Sequence, residues 1–173
     1  MVGEARQSQG RKEKTSCLIV DAQSVKNTDT ANEKGYDAGK KVSGIKRHIA
    51  VDTEGLPHSV FVTTANITDR KGALAAISLH DKALTDVQCV IGDSGYTGDP
   101  FAQGVSELIE ARVEIVKRTE LHKFKVLPKR WVVERSFAWL EKNRRLWKNC
   151  ERLKASSAGM VSLAYIALLL RRS

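Results

Sequence analysis

Two aspartates in this sequence each follow a run of aliphatic residues. Asp21 follows "CLIV", and Asp93 ends the run in "VIGDSGYTGDP", where two glycines and a tyrosine come next. Burying an ionised carboxylate costs several kcal/mol unless the group is paired or bound to a cation. In open α/β sheets, ligands bind at the carboxyl ends of the strands. The pattern therefore predicts two strand-end carboxylates in a position to bind a ligand.

The two aspartates allow two interpretations. Taken singly, each caps a turn, and Asp-Ser-Gly-Tyr is favourable turn chemistry for Asp93. Taken together on neighbouring strands, the carboxylates repel, and one holds a proton unless a divalent cation lies between them. Mg²⁺ prefers oxygen ligands and is commonly bound by one or two carboxylates together with substrate phosphates. The pair therefore predicts a Mg²⁺ site shared by Asp21 and Asp93.

A third carboxylate is available in the segment "PKRWVVERSFAWLEKNRRLWKN". Its apolar residues recur with helical period, which predicts a long helix from about residue 129 to residue 149. The charged residues fall together on the opposite side of that helix: Arg130, Glu134, Glu141, Arg145 and Lys148. The alternative interpretation is a solvated face with ion pairs between Arg130 and Glu134 and between Glu141 and Arg145.

The formal net charge of +9 indicates a polyanionic partner, of which nucleic acid is the commonest. A basic but otherwise ordinary enzyme is the alternative. The basic residues lie mainly in two segments, and those expected to form a DNA track are Lys40, Lys41, Lys46, Arg47, Arg130, Lys142, Arg145 and Lys148. The alternative is that these side chains only make the surface soluble.

Elements of two kinds must position these residues. After an opening strand and a hairpin, strands alternate with helices, and the sequence ends in two helices. This order predicts an α/β fold with a mixed sheet flanked by helices, as in ribonuclease H-like folds. Residues 1–15 have no periodicity and predict a basic linker or disordered arm, so the domain is expected over 16–173. Residues 27–45 predict a loop.

Smaller features complete the prediction. Thr68 and Asp99 are expected to be helix N-caps, and Asp52 is expected in the hairpin turn. Tyr96 suits stacking on DNA and core packing about equally. The three cysteines lack the spacing of a zinc site and indicate reduced thiols in a cytosolic protein. The apolar run at 160–170 is too short to cross a bilayer and predicts a core helix, so no membrane partner is expected.

Five blocks of the sequence carry a family likeness. In order, "LIVDAQSVK", "GYDAGKKVSGIKRHIAVDTEGL", "TTANITDRKGA", "VIGDSGYTGDPF" and "RWVVERSFAWLEKNRRL" resemble the blocks of bacterial insertion-sequence DDE transposases, most nearly the insertion sequence five family. The resemblance implies a metal-binding triad of Asp21, Asp93 and Glu134. The family's signature around its glutamate is matched by Arg130 and Glu134. Its tyrosine position holds Leu127, and its final basic position holds Glu141, with Lys142 next.

The resemblance also implies a function. It implies Mg²⁺-dependent cleavage and strand transfer of an insertion element, with Mn²⁺ as a substitute ion, by a homodimer on double-stranded DNA in the bacterial cytoplasm, associated with the nucleoid when bound. Two alternatives stay open. One is a non-catalytic DNA-binding or regulatory fragment, such as the downstream half of a two-frame element. The other is a metal-dependent nuclease without strand transfer.

Overall fold

The computed structural model describes residues 1–116 and 130–172, and of Arg130 the backbone alone. Five helices and six strands follow one another along the chain as α1 (Val2–Gln7), β1 (Cys17–Lys26), β2 (Gly35–Asp37), β3 (Val42–Val51), β4 (Pro57–Thr64), α2 (Asp69–Ser78), β5 (Cys89–Asp93), α3 (Asp99–Ile109), β6 (Arg112–Val116), α4 (Arg130–Glu141) and α5 (Lys154–Leu170). No helix in these described ranges is long and apolar enough to span a membrane.

The six strands form one mixed sheet. From one edge to the other its order is β4, β3, β1, β5, β6, and the short β2 pairs with the start of β3. Strand β3 runs antiparallel to both β1 and β4, whereas β1, β5 and β6 run parallel to one another. This order and these directions are those of the ribonuclease H-like fold. The predicted fold class is therefore confirmed.

Helices cover both faces of the sheet because successive residues of β1 point to opposite sides. Leu18 and Val20 belong to a core cluster that includes residues of α2 and α3. Ile19 belongs to a second cluster that includes residues of α4 and α5. Asp21 has the same alternation as Ile19, so β1 presents it on the face that carries α4.

The first residues differ from the linker or disordered arm that the sequence indicated. Val2–Gln7 form α1, and Ala5 packs with Leu56 and Leu169 in a small cluster. The buried guanidinium of Arg6 pairs with the fully buried carboxylate of Asp52. Asp52 lies in the hairpin turn, as predicted, and accepts hydrogen bonds there from the N–H groups of Glu54 and Leu56. The turn therefore also anchors the N-terminal helix.

Two predicted elements have different bounds. The segment expected to be a loop at 27–45 contains β2 and the start of β3. The helix expected to reach residue 149 ends at Glu141, where the side-chain amide of Asn143 donates hydrogen bonds to the carbonyls of Trp139 and Leu140. A 3₁₀ turn at Arg144–Leu146 follows. The apolar residues beyond Glu141 do not extend the helix, and one of them, Leu146, is buried from the turn that follows it.

The helix starts illustrate two kinds of cap. Thr68 caps α2, as predicted, and its hydroxyl accepts from the N–H of Lys71 at 3.4 Å. Asp99 was expected to cap α3 but is its first residue, and the cap is Gly98. Gly98 has φ of 127°, a conformation that a residue with a Cβ rarely adopts. The glycine therefore takes the cap position that the sequence assigned to the aspartate.

The buried Arg6–Asp52 pair leads to a stability prediction. Arg6→Met should lower the free energy of unfolding by about 3 kcal/mol, because it leaves Asp52 buried without its guanidinium partner. Arg11→Met is the matched control, since Arg11 pairs with Glu54 at the surface and should cost at most ~1 kcal/mol. Urea denaturation at pH 7 measures both. Equal effects would mean that the Arg6–Asp52 pair contributes no more than a surface ion pair.

Candidate functional site

The two predicted aspartates lie on adjacent strands. Strands β1 and β5 are parallel, and Cys17, Leu18 and Ile19 pair in register with Cys89, Val90 and Ile91. Asp21 and Asp93 each lie two residues beyond the last of these pairs, which puts them at the same level of the sheet. The prediction that their strands are neighbours is confirmed.

Asp21 does not end its strand, however. Strand β5 stops at Asp93, but β1 continues to Lys26 because β3 pairs with it throughout that length. The sheet therefore has a step at the two aspartates. On one side of the step the strands have ended, and on the other β1 and β3 run on. Asp21 lies at this step, where a ligand can approach from the side on which β5 is missing.

Asp93 caps a turn, which is one of the two interpretations that the sequence left open. It is the last residue of β5, and its Oδ1 accepts a hydrogen bond from the N–H of Gly95 at 2.8 Å, which caps the 3₁₀ turn that follows. Gly92 precedes it, and a Cβ there would lie 2.9 Å from the ring of Tyr96. The turn thus folds Tyr96 back onto the strand and orients one carboxylate oxygen.

Tyr96 packs in the core, and stacking on DNA is excluded for this conformation. Its ring is fully buried and lies 5.3 Å from that of Phe101, centroid to centroid. Burial, together with the nearby charges of Asp21, Asp69 and Asp93, raises the pKa of the hydroxyl well above its usual value. That hydroxyl has no hydrogen-bond partner among the described residues. It is a buried polar group close to three carboxylates.

The environment of Asp21 disfavours its charged form. Burial raises the pKa of Asp21 to about 6, and the charges of Asp93 and Asp69 act in the same direction. The N–H of Ala22, which donates to Oδ1 at 2.7 Å, and the ammonium group of Lys40 oppose this shift. Two close oxygen-donor groups, one of them costly to ionise, are a donor set that fits a divalent cation. This part of the predicted Mg²⁺ site is chemically suitable.

Lys46 was predicted to contact DNA, and the structure corrects this. Its side chain is 5% exposed, and its ammonium group lies 3.2 Å from Asp37 and 2.8 Å from Asp69. Burial would raise the pKa of Asp37, but hydrogen bonds from Ser24, the N–H of Lys40 and Lys46 lower it to about 2. Lys46 is therefore the buried counter-ion of two aspartates beside the site. Sequence reasoning missed Asp37.

Arg47 is corrected in the same way. It is 1% exposed, and its guanidinium group donates to the carbonyl of Leu146 at 2.8 Å and to Gln23 at 3.4 Å. Burial lowers its pKa to about 10. A strand centred in a sheet buries its side chains on both faces, so a basic residue there joins elements of the fold. Arg47 thus ties β3 to the segment after α4.

Glu134 is on α4 with its side chain exposed. Among the described residues, no group of three His, Cys, Asp or Glu side chains is close enough together to hold a metal ion. The triad of Asp21, Asp93 and Glu134 therefore stays a prediction. Glu141, seven residues further on, accepts a hydrogen bond from Gln23 of β1 at 2.8 Å, whereas the sequence suggested a pair with Arg145.

The remaining basic residues of the predicted track have different surroundings. Lys40, Lys41 and Lys142 are exposed. Arg145 is exposed and pairs with Glu151 at 2.7 Å, and the ammonium group of Lys148 lies 4.4 Å from the ring centroid of Trp147. The side chain of Arg130 lies outside the described residues. The other groups lie at or near a surface, so the contact of the whole set with DNA stays a prediction.

Comparison with known proteins places this site in a family context. The family model described as "Transposase DDE domain" matches residues 12–170. "Putative transposase for insertion sequence element IS402" of Burkholderia cepacia is 33% identical over 116 residues, which are 63% of this chain and 54% of that protein. The chain thus spans about half the length of this curated relative.

A solved structure also resembles the fold. The cryoEM structure of the simian T-cell lymphotropic virus intasome in complex with PP2A regulatory subunit B56 gamma contains a chain that is 16% identical. The match covers 88% of the present chain and 47% of the other, with a TM-score of 0.49. The fold assignment above rests on strand order and direction, independently of this likeness.

The raised pKa of Asp21 has a measurable consequence. Since the folded state holds the proton more tightly than the unfolded state, the contribution of Asp21 to stability is greatest below about pH 4 and is lost as pH rises through about 6. Asp21→Asn should therefore be more stable than wild type by about 1–3 kcal/mol at pH 8, with EDTA present, and the difference should vanish toward pH 4. Denaturant titrations across this range measure it.

The control is Asp29→Asn, because Asp29 is an exposed carboxylate. It should change stability by less than about 0.5 kcal/mol at every pH. A pH-independent effect of Asp21→Asn would show that the carboxylate is not electrostatically disfavoured.

Proposed function

Because the chain belongs to the family of transposase DDE domains, which matches residues 12–170, we propose that it cleaves DNA strands and transfers them in the movement of an insertion element. The observation that carries the proposal is the pair of aspartates at one level of two adjacent parallel strands. Two carboxylates in that arrangement suit phosphoryl transfer because they would hold divalent cations against the negatively charged phosphate.

Each acidic residue has a proposed role. Asp21 and Asp93 would hold the Mg²⁺ or Mn²⁺ ions, with Glu134 as the third ligand. When bound, the ions would supply activation of the attacking hydroxyl and stabilisation of the entering and leaving oxygens. Asp21 must release its proton to bind a metal ion. Because its pKa is raised, a proton and a cation would compete for its carboxylate. Lys46 pairs with both Asp37 and Asp69, so its single positive charge partly offsets the negative charge that these carboxylates add beside the pair.

The fold restricts how Glu134 joins the pair. On α4, Ser136 donates to the carbonyl of Gly55 at 2.9 Å, and Glu141 is bound by Gln23. Val132 and Val133 are fully buried on the same helix. The helix is therefore fixed against the sheet along its length. We expect Glu134 to reach the metal by reorienting its side chain, without a large shift of α4.

DNA and a second subunit are the proposed partners. Exposed basic residues would neutralise phosphates, and those of the proposed track that are exposed are Lys40, Lys41, Lys142 and Arg145. Lys148, partly buried against Trp147, and Arg130 complete the proposed set. Transposition brings two element ends together, so the active species is expected to be a homodimer on double-stranded DNA. The expected setting is the bacterial cytoplasm, with nucleoid association while bound to DNA.

A second candidate function is supported by one observation. The described residues hold no assembled group of three metal ligands. A DNA-binding or regulatory fragment without catalysis fits that observation. The two candidates share the fold and the basic surface. They differ in whether the aspartates support metal-dependent cleavage.

The first experiment therefore compares acidic variants. Asp21→Asn, Asp93→Asn and Glu134→Gln should each lower Mg²⁺- or Mn²⁺-dependent nicking of an element-end duplex by at least ~100-fold. Each should also reduce the rise in melting temperature that Mn²⁺ produces, because the ion stabilises the fold by mass action. Glu141→Gln is the matched control for Glu134, since it lies on the same helix face and bonds Gln23.

The outcomes separate the candidates. Loss of activity in the first three variants with retention in Glu141→Gln supports the triad. A Glu134→Gln variant that keeps the Mn²⁺ shift and the nicking would remove Glu134 from the site. A wild-type chain that binds DNA and never nicks it, with either ion, would favour the non-catalytic candidate.

The second experiment tests the basic track. Replacing Lys142, Arg145 and Lys148 together by glutamine should weaken duplex binding about equally for all sequences. The slope of log affinity against log salt should become shallower by roughly 0.9 for each phosphate that is no longer neutralised. A control triple of Lys71, Lys82 and Arg112, which are exposed on other elements, should leave the slope unchanged. Equal slopes for both triples would place the first set away from DNA.

A further inference from the structure

The part of β1 beyond Asp21 is bordered by two surface cavities. One, of about 440 Å³, is lined by residues that include Lys34, Tyr36 and Lys41. The other, of about 230 Å³, is lined by residues that include Gln23, Trp147 and Lys148. Lys26, the last residue of β1, lines both cavities. We call this combined surface the Lys26 groove.

Each cavity contains an exposed aromatic side chain. Tyr36 is 56% exposed in the first, and Trp147 is 61% exposed in the second. Exposed aromatic groups forgo the stabilisation that burial gives, and they are the groups on which nucleic-acid bases stack. Their positions on either side of one strand end make the groove a surface with two stacking platforms.

The backbone under both aromatics is held firmly. The N–H of Asn149 donates to the carbonyl of Lys26 at 2.9 Å, and the N–H of Thr28 donates to the carbonyl of Asn149 at 2.9 Å. The side chains of Asn27 and Asn149 are also bonded, at 2.9 Å. Tyr36 is paired with Ser43 in the sheet. The platforms are thus preorganised, which lowers the ordering cost of binding a flexible strand.

The charge of the groove is mainly positive. Four ammonium groups belong to lining residues: Lys26, Lys34, Lys41 and Lys148. The acidic residues in the same linings are Asp29 and Glu141, and Glu141 is bonded to Gln23. This excess of positive charge attracts a polyanion, and the aromatic groups favour one with planar rings whose faces are exposed.

The groove begins beside the aspartate pair. Lys26 lies five residue steps beyond Asp21 along β1, which at ~3.4 Å per step is about 17 Å. That length corresponds to about five nucleotide steps at ~3.4 Å each. A strand whose phosphate lies at Asp21 and Asp93 therefore reaches Lys26 with its next few nucleotides.

We propose that the Lys26 groove binds unpaired nucleotides of DNA next to the aspartate pair, with bases stacked on Trp147 and Tyr36 and phosphates on the lysines. The inference rests on the proposed function, since it assigns that same site a single-stranded segment. Bases in a duplex already stack on one another, and their faces are exposed only when the strand is separated. Aromatic platforms of this kind therefore fit single strands better than duplexes.

The test is binding to two probes in EDTA, measured by fluorescence anisotropy. The probes are a labelled oligonucleotide of twelve thymidines and a blunt duplex of twelve base pairs. Trp147→Ala should bind the oligonucleotide roughly 5- to 100-fold more weakly, the range expected when one base can no longer stack on an aromatic ring. Its affinity for the duplex should change less than twofold. Trp131→Ala is the matched control, because Trp131 is a similarly exposed tryptophan at the start of α4.

A second measurement keeps the result interpretable. The oligonucleotide should quench tryptophan fluorescence in wild type and in Trp131→Phe, and the quenching should be much smaller in Trp147→Phe. Tyr36→Ala should weaken oligonucleotide binding in the same direction, and thermal melting should confirm that each variant is folded. Equal losses of affinity in Trp147→Ala and Trp131→Ala, or equal losses for both probes, would overturn the inference.

Because these measurements use EDTA, they do not depend on cleavage. If wild type nicks DNA and Trp147→Ala binds both probes as tightly as wild type does, the proposal for the Lys26 groove is contradicted. The proposed function is then unaffected. Selective loss of oligonucleotide binding in a chain that never nicks DNA would support the groove and contradict the catalytic proposal.

Discussion

The central constraint on this molecule is the repulsion between two carboxylates placed side by side in a sheet. Asp21 and Asp93 occupy one level of adjacent strands, and burial makes the charge of Asp21 expensive. Neighbouring features accommodate this. Lys46 pairs with Asp37 and Asp69 and so partly offsets the charge of the surrounding acids. Tyr96 closes the core beneath, and Gly92 leaves room for its ring. A proton or a cation would relieve the remaining repulsion, which is the basis of the metal-dependent chemistry proposed above.

The same sheet uses basic residues in two different ways. Lys46 and Arg47 are buried on β3 and organise other groups, one as a counter-ion and one as a donor to the carbonyl of Leu146. The exposed lysines carry the positive charge that faces solvent. The net charge of +9 therefore overstates the positive charge that the surface presents to DNA, since some of the basic residues are buried inside the fold. The distinction matters because a buried guanidinium or ammonium group contributes little to the salt dependence of DNA binding.

Much of this organisation could be predicted from the sequence, and the failures have physical causes. Aliphatic runs ending in aspartate identified the strands β1 and β5, because that pattern depends on local burial. The length of β1 beyond Asp21 depends on pairing with β3, which is a long-range property. Lys46 and Arg47 were assigned to the surface because a single sequence does not reveal which charges have partners. Helix α4 ends at Glu141 because Asn143 competes for its last carbonyls, although the apolar pattern continues to Leu146 and Trp147. The contribution of Glu134 was not decided by the pattern either.

The turn between β3 and β4 influences the position of a helix that it only touches. Gly55 has φ of 78°, and a Cβ there would lie 2.9 Å from Ser136 and 3.2 Å from Trp139 of α4. A side chain at this position would push against the helix that carries Glu134. Gly55 therefore keeps that helix seated, from a turn that contributes no group to the proposed chemistry. A variant with a side chain at position 55 would keep all of its acidic residues and still disturb the helix on which Glu134 lies.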